Sequence, residues 1–361
     1  MLKASLVVIT TLFTYLLFWP VAIDPVSWDA PVSQGYTGSF QQNDLLKDIE
    51  EIELSDTHGP EGLALINGEI YMATREGWIL RYNESTGVIT KVVNTLGSPL
   101  GLAVDANNNL IIADAYKGLL SMSLDGELTL LTNSYDGLPL EYIDDLDITA
   151  DGKIYFSDAS GKFGAEKYGG TYPSSLLDIL EHGGHGRLLV YNPADQTTHV
   201  VIDGLNFANG VATAEDSSFV FVVETGSYRI HKYWLQGEKA GTSDILIDNL
   251  PGFPDNIVRG RAGRFWVGLV SPRNKELDTM SSVPLMRKIL QRLPKSMSPA
   301  AQAYSHVFAM DKDGNVLTSL QDPKGMYHTN TGAVETDDWL YISSLHAANL
   351  GRISKKRAGI Q

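Results

Sequence analysis

Short runs of hydrophobic and β-branched residues, separated by turns rich in Gly, Asn and Asp, dominate the chain from residue 45 onward. The segment GEIYMATREGWILRYNESTGVITKVV illustrates this pattern. Such runs with these turn residues are typical of antiparallel β-sheet. We therefore predict an all-β fold for this part of the chain.

One β-rich unit recurs, and each copy begins with an inner strand that follows Pro, Asn or Gly. The six predicted starts lie near Pro60, Pro99, Ile143, Phe207, Pro254 and Tyr327. Successive starts are 39, 44, 64, 47 and 73 residues apart, and the shorter intervals match a four-stranded propeller blade. We predict a six-bladed β-propeller over residues 45–361, with Asp48–Asp56 as the outer strand of the last blade. Such a strand closes the ring and removes a sheet edge.

The two long intervals predict insertions with short helices. One spans Lys162–His185 and contains a helical pattern around Ser174–Glu181. The other, Asn274–Ser305, contains VPLMRKILQRLPKSM, whose apolar and basic residues fall on opposite faces of a helix. The apolar set is Leu285, Ile289, Leu290 and Leu293, and the basic set is Arg287, Lys288, Arg292 and Lys295. Two placements remain open for this helix: it caps the propeller mouth, or it lies on an anionic membrane surface.

The amino terminus has a different pattern, because the run Ala4–Ile23 contains no charged residue. About 20 apolar residues span roughly 30 Å of hydrocarbon. We predict an uncleaved transmembrane helix within residues 1–28, followed by a linker over 29–44. A cleaved signal peptide and a buried core helix are the alternatives. Lys3 before the run favours a cytoplasmic amino end, with a single-pass anchor and the propeller on the non-cytoplasmic side, in the periplasm, a lumen or at the cell surface.

Composition narrows the choice of chemistry and partners. The 361 residues include no Cys, which excludes disulfide scaffolds, cysteine nucleophiles and thiolate metal sites. The formal net charge of −15 argues against a nucleic-acid partner, which needs a basic surface. Cationic partners, including metal ions, remain compatible with the charge.

Polar residues at the blade starts form the main candidate site. Inner strands of a propeller converge on the central channel, where these residues face one another. They are Glu61, Asp144, Asn209, Asp255 and Asn256. All offer oxygen, the ligand type that Ca²⁺ prefers, whereas zinc favours His or Cys. Each residue taken alone also suits a turn beside Gly or Pro, but together they predict one central calcium ion.

The histidines and the known hydrolase motifs give little further evidence about the catalytic residues. His328 at the last blade and His58 before the first are candidates for proton transfer, against a structural or surface role. His182 and His185 share a Gly-rich loop, where a solvated turn is the favoured interpretation over a metal site. The sequence contains neither a Gly-x-Ser-x-Gly elbow nor a phosphate-binding loop.

The segments DDLDITADGKIYFSDASGKFG, GRLLVYNPADQTTHVVIDGLNFANGVATAEDSSFVFVVETGSYRIHKYW and GFPDNIVRGRAGRFWVGLVSPRN closely resemble the strictosidine-synthase-like family of six-bladed propellers. The wider superfamily includes paraoxonases, gluconolactonases and diisopropylfluorophosphatase, which are calcium-dependent hydrolases. The resemblance implies the same five calcium ligands. Asp144 stands where the family usually has Asn, Gly62 lacks the acid that paraoxonases use for a second calcium, and Leu100 replaces the paraoxonase catalytic His. Thr331 stands where strictosidine synthase has its catalytic Glu.

These observations predict a membrane-anchored, calcium-dependent hydrolase of lactones, esters or related small molecules. Asp255 is the candidate nucleophile or general base, with His328 or His58 in a minor proton-transfer role. The first alternative is a non-catalytic propeller, stabilised by calcium, that binds a protein or lipid ligand. The second is a synthase that condenses an amine with an aldehyde.

Overall fold

The β-rich region folds into four-stranded antiparallel sheets. The computed structural model describes residues 2–294 and 300–360, and these form 26 strands. In chain order the strands are β1 (Glu50–Glu53), β2 (Leu63–Ile66), β3 (Glu69–Ala73), β4 (Trp78–Asn83), β5 (Val88–Asn94), β6 (Pro99–Val104), β7 (Leu110–Asp114), β8 (Gly118–Met122), β9 (Leu128–Thr132), β10 (Ser134–Tyr135), β11 (Leu138–Pro139), β12 (Ile143–Ile148), β13 (Ile154–Asp158), β14 (Gly186–Asn192), β15 (Thr197–Leu205), β16 (Ala208–Thr213), β17 (Phe219–Glu224), β18 (Arg229–Trp234), β19 (Ser243–Ile247), β20 (Gly252–Arg259), β21 (Phe265–Pro272), β22 (Ser305–Met310), β23 (Val316–Asp322), β24 (Asn330–Glu335), β25 (Trp339–Ser344) and β26 (Asn349–Ser354).

Six sheets follow one another along the chain as the blades of a propeller. The sheets are β2–β5, β6–β9, β12–β15, β16–β19, β20–β23, and β24–β26 completed by β1; β10 and β11 form a separate two-stranded hairpin. The innermost strand of each blade lies at or within a few residues of its predicted start. The predicted six-bladed, all-β propeller is therefore confirmed.

The ring closes between the two ends of the propeller sequence. Strand β1 pairs antiparallel with β26, with Glu50 opposite Arg352 and Glu53 opposite Asn349. Leu54, just after β1, is 1% exposed, so apolar burial reinforces the hydrogen-bonded ladder. The predicted closing strand thus belongs to the sixth sheet.

The hydrophobic core lies between neighbouring blades. Between the fourth and fifth blades, the rings of Phe221 and Phe265 meet edge to face with centroids 4.9 Å apart, and Phe308 packs in the same cluster. Near the axis the innermost strands approach so closely that a Cβ atom on Gly62 would collide with the carbonyl oxygen of Leu100. This close approach is what brings side chains of different blades together on the axis.

Five α-helices and two short 3₁₀ turns complete the described residues. The helices are α1 (Leu2–Phe18), α2 (Thr171–Glu181), α3 (Lys275–Thr279), α4 (Pro284–Arg292) and α5 (Lys355–Ala358), and the 3₁₀ turns are Gly38–Phe40 and Thr225–Ser227. Helix α2 lies in the first predicted insertion, and α3 and α4 lie in the second. The predicted short helical insertions are therefore present.

Helix α4 is amphipathic in the opposite sense from the predicted one. Arg287 is 2% exposed and donates to the carbonyl oxygens of Leu180 and Glu181 at 3.0 and 3.2 Å, whereas Leu285 is 50% exposed. Arg292 is also buried, and Lys295 lies outside the described residues. Arginine side chains can satisfy backbone carbonyls at the end of another helix, so Arg287 joins α4 to the end of α2, whereas Arg292 joins it to the end of α1.

The predicted transmembrane helix within residues 1–28 is not supported. Helix α1 ends at Phe18, just before Trp19 and Pro20, because a residue that precedes proline disfavours helical geometry. No helix within residues 2–294 and 300–360 is long and apolar enough to cross a membrane. Arg292 fixes the end of α1 by donating to the Trp19 carbonyl oxygen at 2.6 Å. The predicted boundaries of the linker and the propeller stay predictions.

Candidate metal centre and active site

Irregularities in three innermost strands position most of the predicted ligands. The register of β12 shifts between Ile143 and Leu146, that of β16 between Ala208 and Val211, and that of β20 between Pro254 and Ile257. A β-bulge re-aims side chains that would otherwise alternate between the two faces of a sheet. The side chains within these three bulges include Asp144, Asn209, Asp255 and Asn256. Glu61 comes from the segment just before β2.

Three carboxylates from three blades meet on the axis. One oxygen each from Glu61, Asp144 and Asp255 lies within 4.8 Å of the other two. Asp144 and Asp255 are buried, and Glu61 is half-buried. The structure thus brings together the three acidic residues that the sequence predicted.

Buried oxygen atoms without hydrogen-bond partners surround this cluster. Among the described residues, Asp144 Oδ1, Asn209 Oδ1 and Asn256 Oδ1 have no donor within reach. A buried oxygen is normally paired, so each of these atoms calls for an explanation. A hard cation such as Ca²⁺ accepts carboxylate and amide oxygens together. The donor set therefore fits calcium.

Hydrogen bonds to one backbone carbonyl hold Glu61 in place. Thr331 Oγ1 donates to the Glu61 carbonyl oxygen at 2.8 Å, and Asn256 Nδ2 donates to the same oxygen at 3.3 Å. Thr331 therefore provides a positioning hydroxyl in the sixth blade.

Burial of like charges disfavours ionisation throughout the cluster. Burial, and next the charge of Asp255, raises the pKa of Glu61 well above its usual range. Burial and the charge of Glu61 do the same to the pKa of Asp144. Burial raises the pKa of Asp255 to about 7, although a hydrogen bond with Asn209 acts in the opposite direction. A bound cation reverses this preference, because it stabilises the charged carboxylates.

A cavity of about 250 Å³ lies directly above the carboxylates. Glu61, Asp144, Asn209 and Asp255 line its floor. Its apolar wall and cover consist of Leu100, Tyr142, Leu176, Ile179, Phe207, Phe253, Val270 and Leu277. Leu176 and Ile179 belong to α2 and Leu277 to α3, so both insertions cover the propeller mouth.

Tyr142 links this cover to the floor. Its hydroxyl donates to the carbonyl oxygen of Thr171 at 2.9 Å, at the first residue of α2. Burial, followed by the charge of Asp144, raises the pKa of Tyr142 far above its usual range. The phenol therefore stays protonated and acts as a donor.

The histidines are placed differently from the prediction. His328 does not line the cavity, and its half-buried ring has no hydrogen-bond partner at Nδ1 among the described residues. His58 is exposed and pairs with Glu76 at 3.0 Å. The catalytic role of His328 stays a prediction. His346, which the sequence did not single out, lines the cavity.

The two neighbouring histidines of the first insertion have structural contacts. His182 is buried and stacks on Trp28 with ring centroids 3.8 Å apart. His185 Nε2 lies 2.6 Å from Glu181 Oε1. The predicted solvated turn is therefore wrong for His182, whose ring closes an apolar contact.

Comparison with known protein families gives two matches along the chain. A family described as strictosidine synthase matches residues 144–238, and one described as the N-terminal part of strictosidine synthase-like proteins matches residues 38–82. Both segments lie within or next to blades that provide the cluster.

Known relatives cover most of the chain. The adipocyte plasma membrane-associated protein of Bos taurus is 31% identical over 94% of this chain and 85% of its own length. The protein strictosidine synthase-like 6 of Arabidopsis thaliana is 32% identical over 86% of this chain and 82% of its own.

Solved structures share the fold at lower sequence identity. A gluconolactonase from Xanthomonas campestris superimposes with a TM-score of 0.61 at 19% identity, covering 92% of this chain and 98% of its own. The calcium-binding protein regucalcin from Agrobacterium tumefaciens gives 0.59 at 14% identity, covering 84% and 93%.

Proposed function

The chain belongs to the strictosidine synthase-like family, and from that premise we propose that it is a calcium-dependent hydrolase of lactones, esters or related carbonyl compounds. The observation that supports this most is the trio of carboxylates, Glu61, Asp144 and Asp255, at the floor of an apolar cavity. The gluconolactonase and the calcium-binding regucalcin have the same fold, which is consistent with such a reaction and such an ion.

Glu61, Asp144, Asn209, Asp255 and Asn256 would hold the calcium ion. Bound there, calcium would act as a Lewis acid toward the reacting carbonyl or phosphoryl oxygen. The chain's own residues confine the substrate, because the aromatic walls exclude water and orient its apolar part.

Asp255 is the residue that we assign to proton transfer or nucleophilic attack. It lies on the cavity floor, and a bound cation would keep its carboxylate ionised at neutral pH, the form that a base or nucleophile requires. The other two acids would serve as ligands.

The experiment is turnover of a panel of lactones and aryl esters by the full chain, with calcium and with a chelator. We expect turnover only with calcium. The observation that favours the non-catalytic alternative is that the five ligands come from four blades, so calcium would join those blades mechanically. Calcium-dependent thermal stability without turnover of any substrate would support that alternative and contradict the hydrolase.

A membrane attachment through α1 is a further part of the proposal. A relative is named for its plasma-membrane association, and α1 exposes large apolar side chains, among them Val8 at 66% and Phe18 at 75%. The single-pass anchor, with the propeller on the non-cytoplasmic side, stays a proposal. Flotation with lipid vesicles by the full chain, and its loss when residues 1–28 are deleted, would support attachment; equal flotation of both would contradict it.

A further inference from the structure

Arg75 is a positive charge without a partner at the cavity. Among the described residues that line the cavity, it is the one Lys or Arg, and the carboxylates there lie on the floor. The guanidinium is exposed, and no carboxylate oxygen of the described residues lies within ion-pair distance of it. The adjacent Glu76 is engaged by His58, with 3.0 Å between Oε1 and Nδ1.

The surroundings of Arg75 do not neutralise its charge. His346 lies close enough that Arg75 contributes to lowering the pKa of its ring, after the larger effect of burial. The imidazole is therefore neutral at pH 7. Across from it, the Tyr172 ring of α2 meets the His346 ring edge to face with centroids 5.1 Å apart. Arg75 thus lies near the neutral His346 ring, which contacts Tyr172 at the place where α2 covers the cavity.

A further feature favours negative charge at this place. Helix α2 begins here, and Gly170, Thr171 and Tyr172 line the cavity without a side chain capping the helix. Its first turn therefore adds a partial positive charge to that of Arg75. Glu166 is a carboxylate in this region, since both it and Arg75 influence the pKa of Tyr116. Glu166 nevertheless forms no ion pair with Arg75.

The same cavity offers an apolar wall to the rest of a ligand. Phe207 and Phe253 come from the propeller and Ile179 from α2. A molecule that contacts these side chains and also reaches Arg75 needs an apolar body with an anionic end.

We propose that Arg75 binds the anionic end, a carboxylate, of a ligand whose apolar body occupies the central cavity. That this ligand is a substrate rests on the proposed function. Its binding at Arg75 does not. The expected substrates are therefore apolar esters or lactones that also carry a carboxylate, and Arg75 is a specificity-determining residue.

The test compares 4-phenylbutanoate with 4-phenylbutanamide, which share the same apolar body and differ in charge. Binding of each to the full chain is measured by calorimetry, with calcium present. We expect the carboxylate to bind roughly fivefold more tightly than the amide, as for a partly exposed charge-assisted contact. Arg75→Gln should abolish this preference and leave the affinity for the amide unchanged.

Arg81→Gln is the matched control, because Arg81 pairs with Glu69 at 3.7 Å and does not line the cavity. It should keep the wild-type preference. Equal affinity of wild type for the two probes, no binding of the carboxylate, or an undiminished preference in Arg75→Gln would each overturn the inference. Loss of the preference for the carboxylate probe in Arg75→Gln would support the subsite even if the wild-type protein turns over no substrate. That absence of turnover would reject the hydrolase alone.

Discussion

Asp255 has two tasks in the proposed site, as a ligand to calcium and as the reactive carboxylate. Asp255→Asn keeps the size and one ligand oxygen but removes the charge and the basic oxygen. We expect calcium binding to weaken while turnover falls by about 10²–10⁴-fold, the usual contribution of a general base. Turnover rates at saturating calcium, measured beside calcium affinity, check this.

Asn209→Ala is the control for loss of a ligand without loss of the base. Asn209 contributes an amide oxygen, which water can replace in the calcium shell. This variant should need more calcium and regain part of its turnover when calcium is raised. Wild-type turnover of Asp255→Asn at saturating calcium would remove Asp255 from the chemistry.

The pH dependence of stability follows from the raised pKa of Asp255. The unfolded chain ionises this carboxyl near 3.8, whereas the metal-free folded protein holds the proton until about pH 7. The folded state therefore binds more protons between these values, so the stabilisation is present at low pH and is lost as the pH rises through 7. Calcium binds the ionised form and offsets this loss.

We expect calcium to raise the melting temperature little at pH 5 and markedly at pH 7.5. Melting curves with calcium and with chelator at both pH values measure the difference. Buried acids outside the cluster titrate equally in both samples and cancel in the comparison, whereas Glu61 and Asp144 respond to calcium in the same direction as Asp255. A calcium-induced increase that is the same at both pH values would contradict this account.

The meeting of Glu61, Asp144 and Asp255 was predictable from the sequence, because polar residues at the start of an innermost strand face the propeller axis whichever blade they come from; their role as ligands stays a prediction. The bulges that aim Asp144, Asn209 and Asp255 were not, since strand register depends on pairing with the neighbouring strand. His346 lies just after β25, and no neighbouring sequence pattern indicates that it belongs to the cavity. Only the packing of α2 shows that it belongs to the cavity.

At the scale of elements, β1 closes the ring by pairing with β26. Leu54 is 1% exposed beside this strand, so Leu54→Ala should lower the free energy of unfolding by about 2–5 kcal/mol. Deletion of residues 46–56 exposes the edge of β26 and should cause aggregation. Denaturant unfolding and light scattering measure these effects.

Val88→Ala provides the control for the closing strand, because Val88 is 55% exposed in an outer strand. It should change the free energy of unfolding by less than about 0.5 kcal/mol. A deletion variant that stays monomeric with an unchanged melting temperature would show that β1 does not close the propeller.

Helix α4 secures the cover of the cavity through Arg287. This buried side chain donates to carbonyl oxygens of Leu180, Glu181, Val26 and Ser281. Arg287→Ala removes this donor from the Leu180 and Val26 carbonyl oxygens, whereas Glu181 and Ser281 keep backbone donors; an unpaired buried polar group costs about 1–3 kcal/mol. We expect faster proteolysis within residues 162–185, detected by mass spectrometry.

Lys288→Ala is the neighbouring control, since Lys288 forms an ion pair with the exposed Asp24. The rate of proteolysis within residues 162–185 should be the same in Lys288→Ala as in the wild-type protein. Equal protection of the first insertion in wild type and Arg287→Ala would show that α4 does not hold α2. The helical period predicted this helix but not its buried side, because that side depends on carbonyl groups of other segments.

At the scale of the whole molecule, a ring of six blades places ligands from the first, third, fourth and fifth blades around one point. Burial of three carboxylates on this axis is costly without a cation. The insertions then add an apolar cover to an acidic floor. A single calcium ion bound there would link the assembly of the blades with the proposed chemistry.

The most direct test follows calcium binding and turnover in one titration. Metal-free protein is titrated with calcium, and bound calcium and hydrolysis of an aryl ester or lactone are measured at each free concentration. The account predicts one calcium per chain at the axis and turnover that rises in parallel with its binding. Full turnover in the presence of chelator, or one bound calcium with no turnover across the panel of substrates, would contradict it.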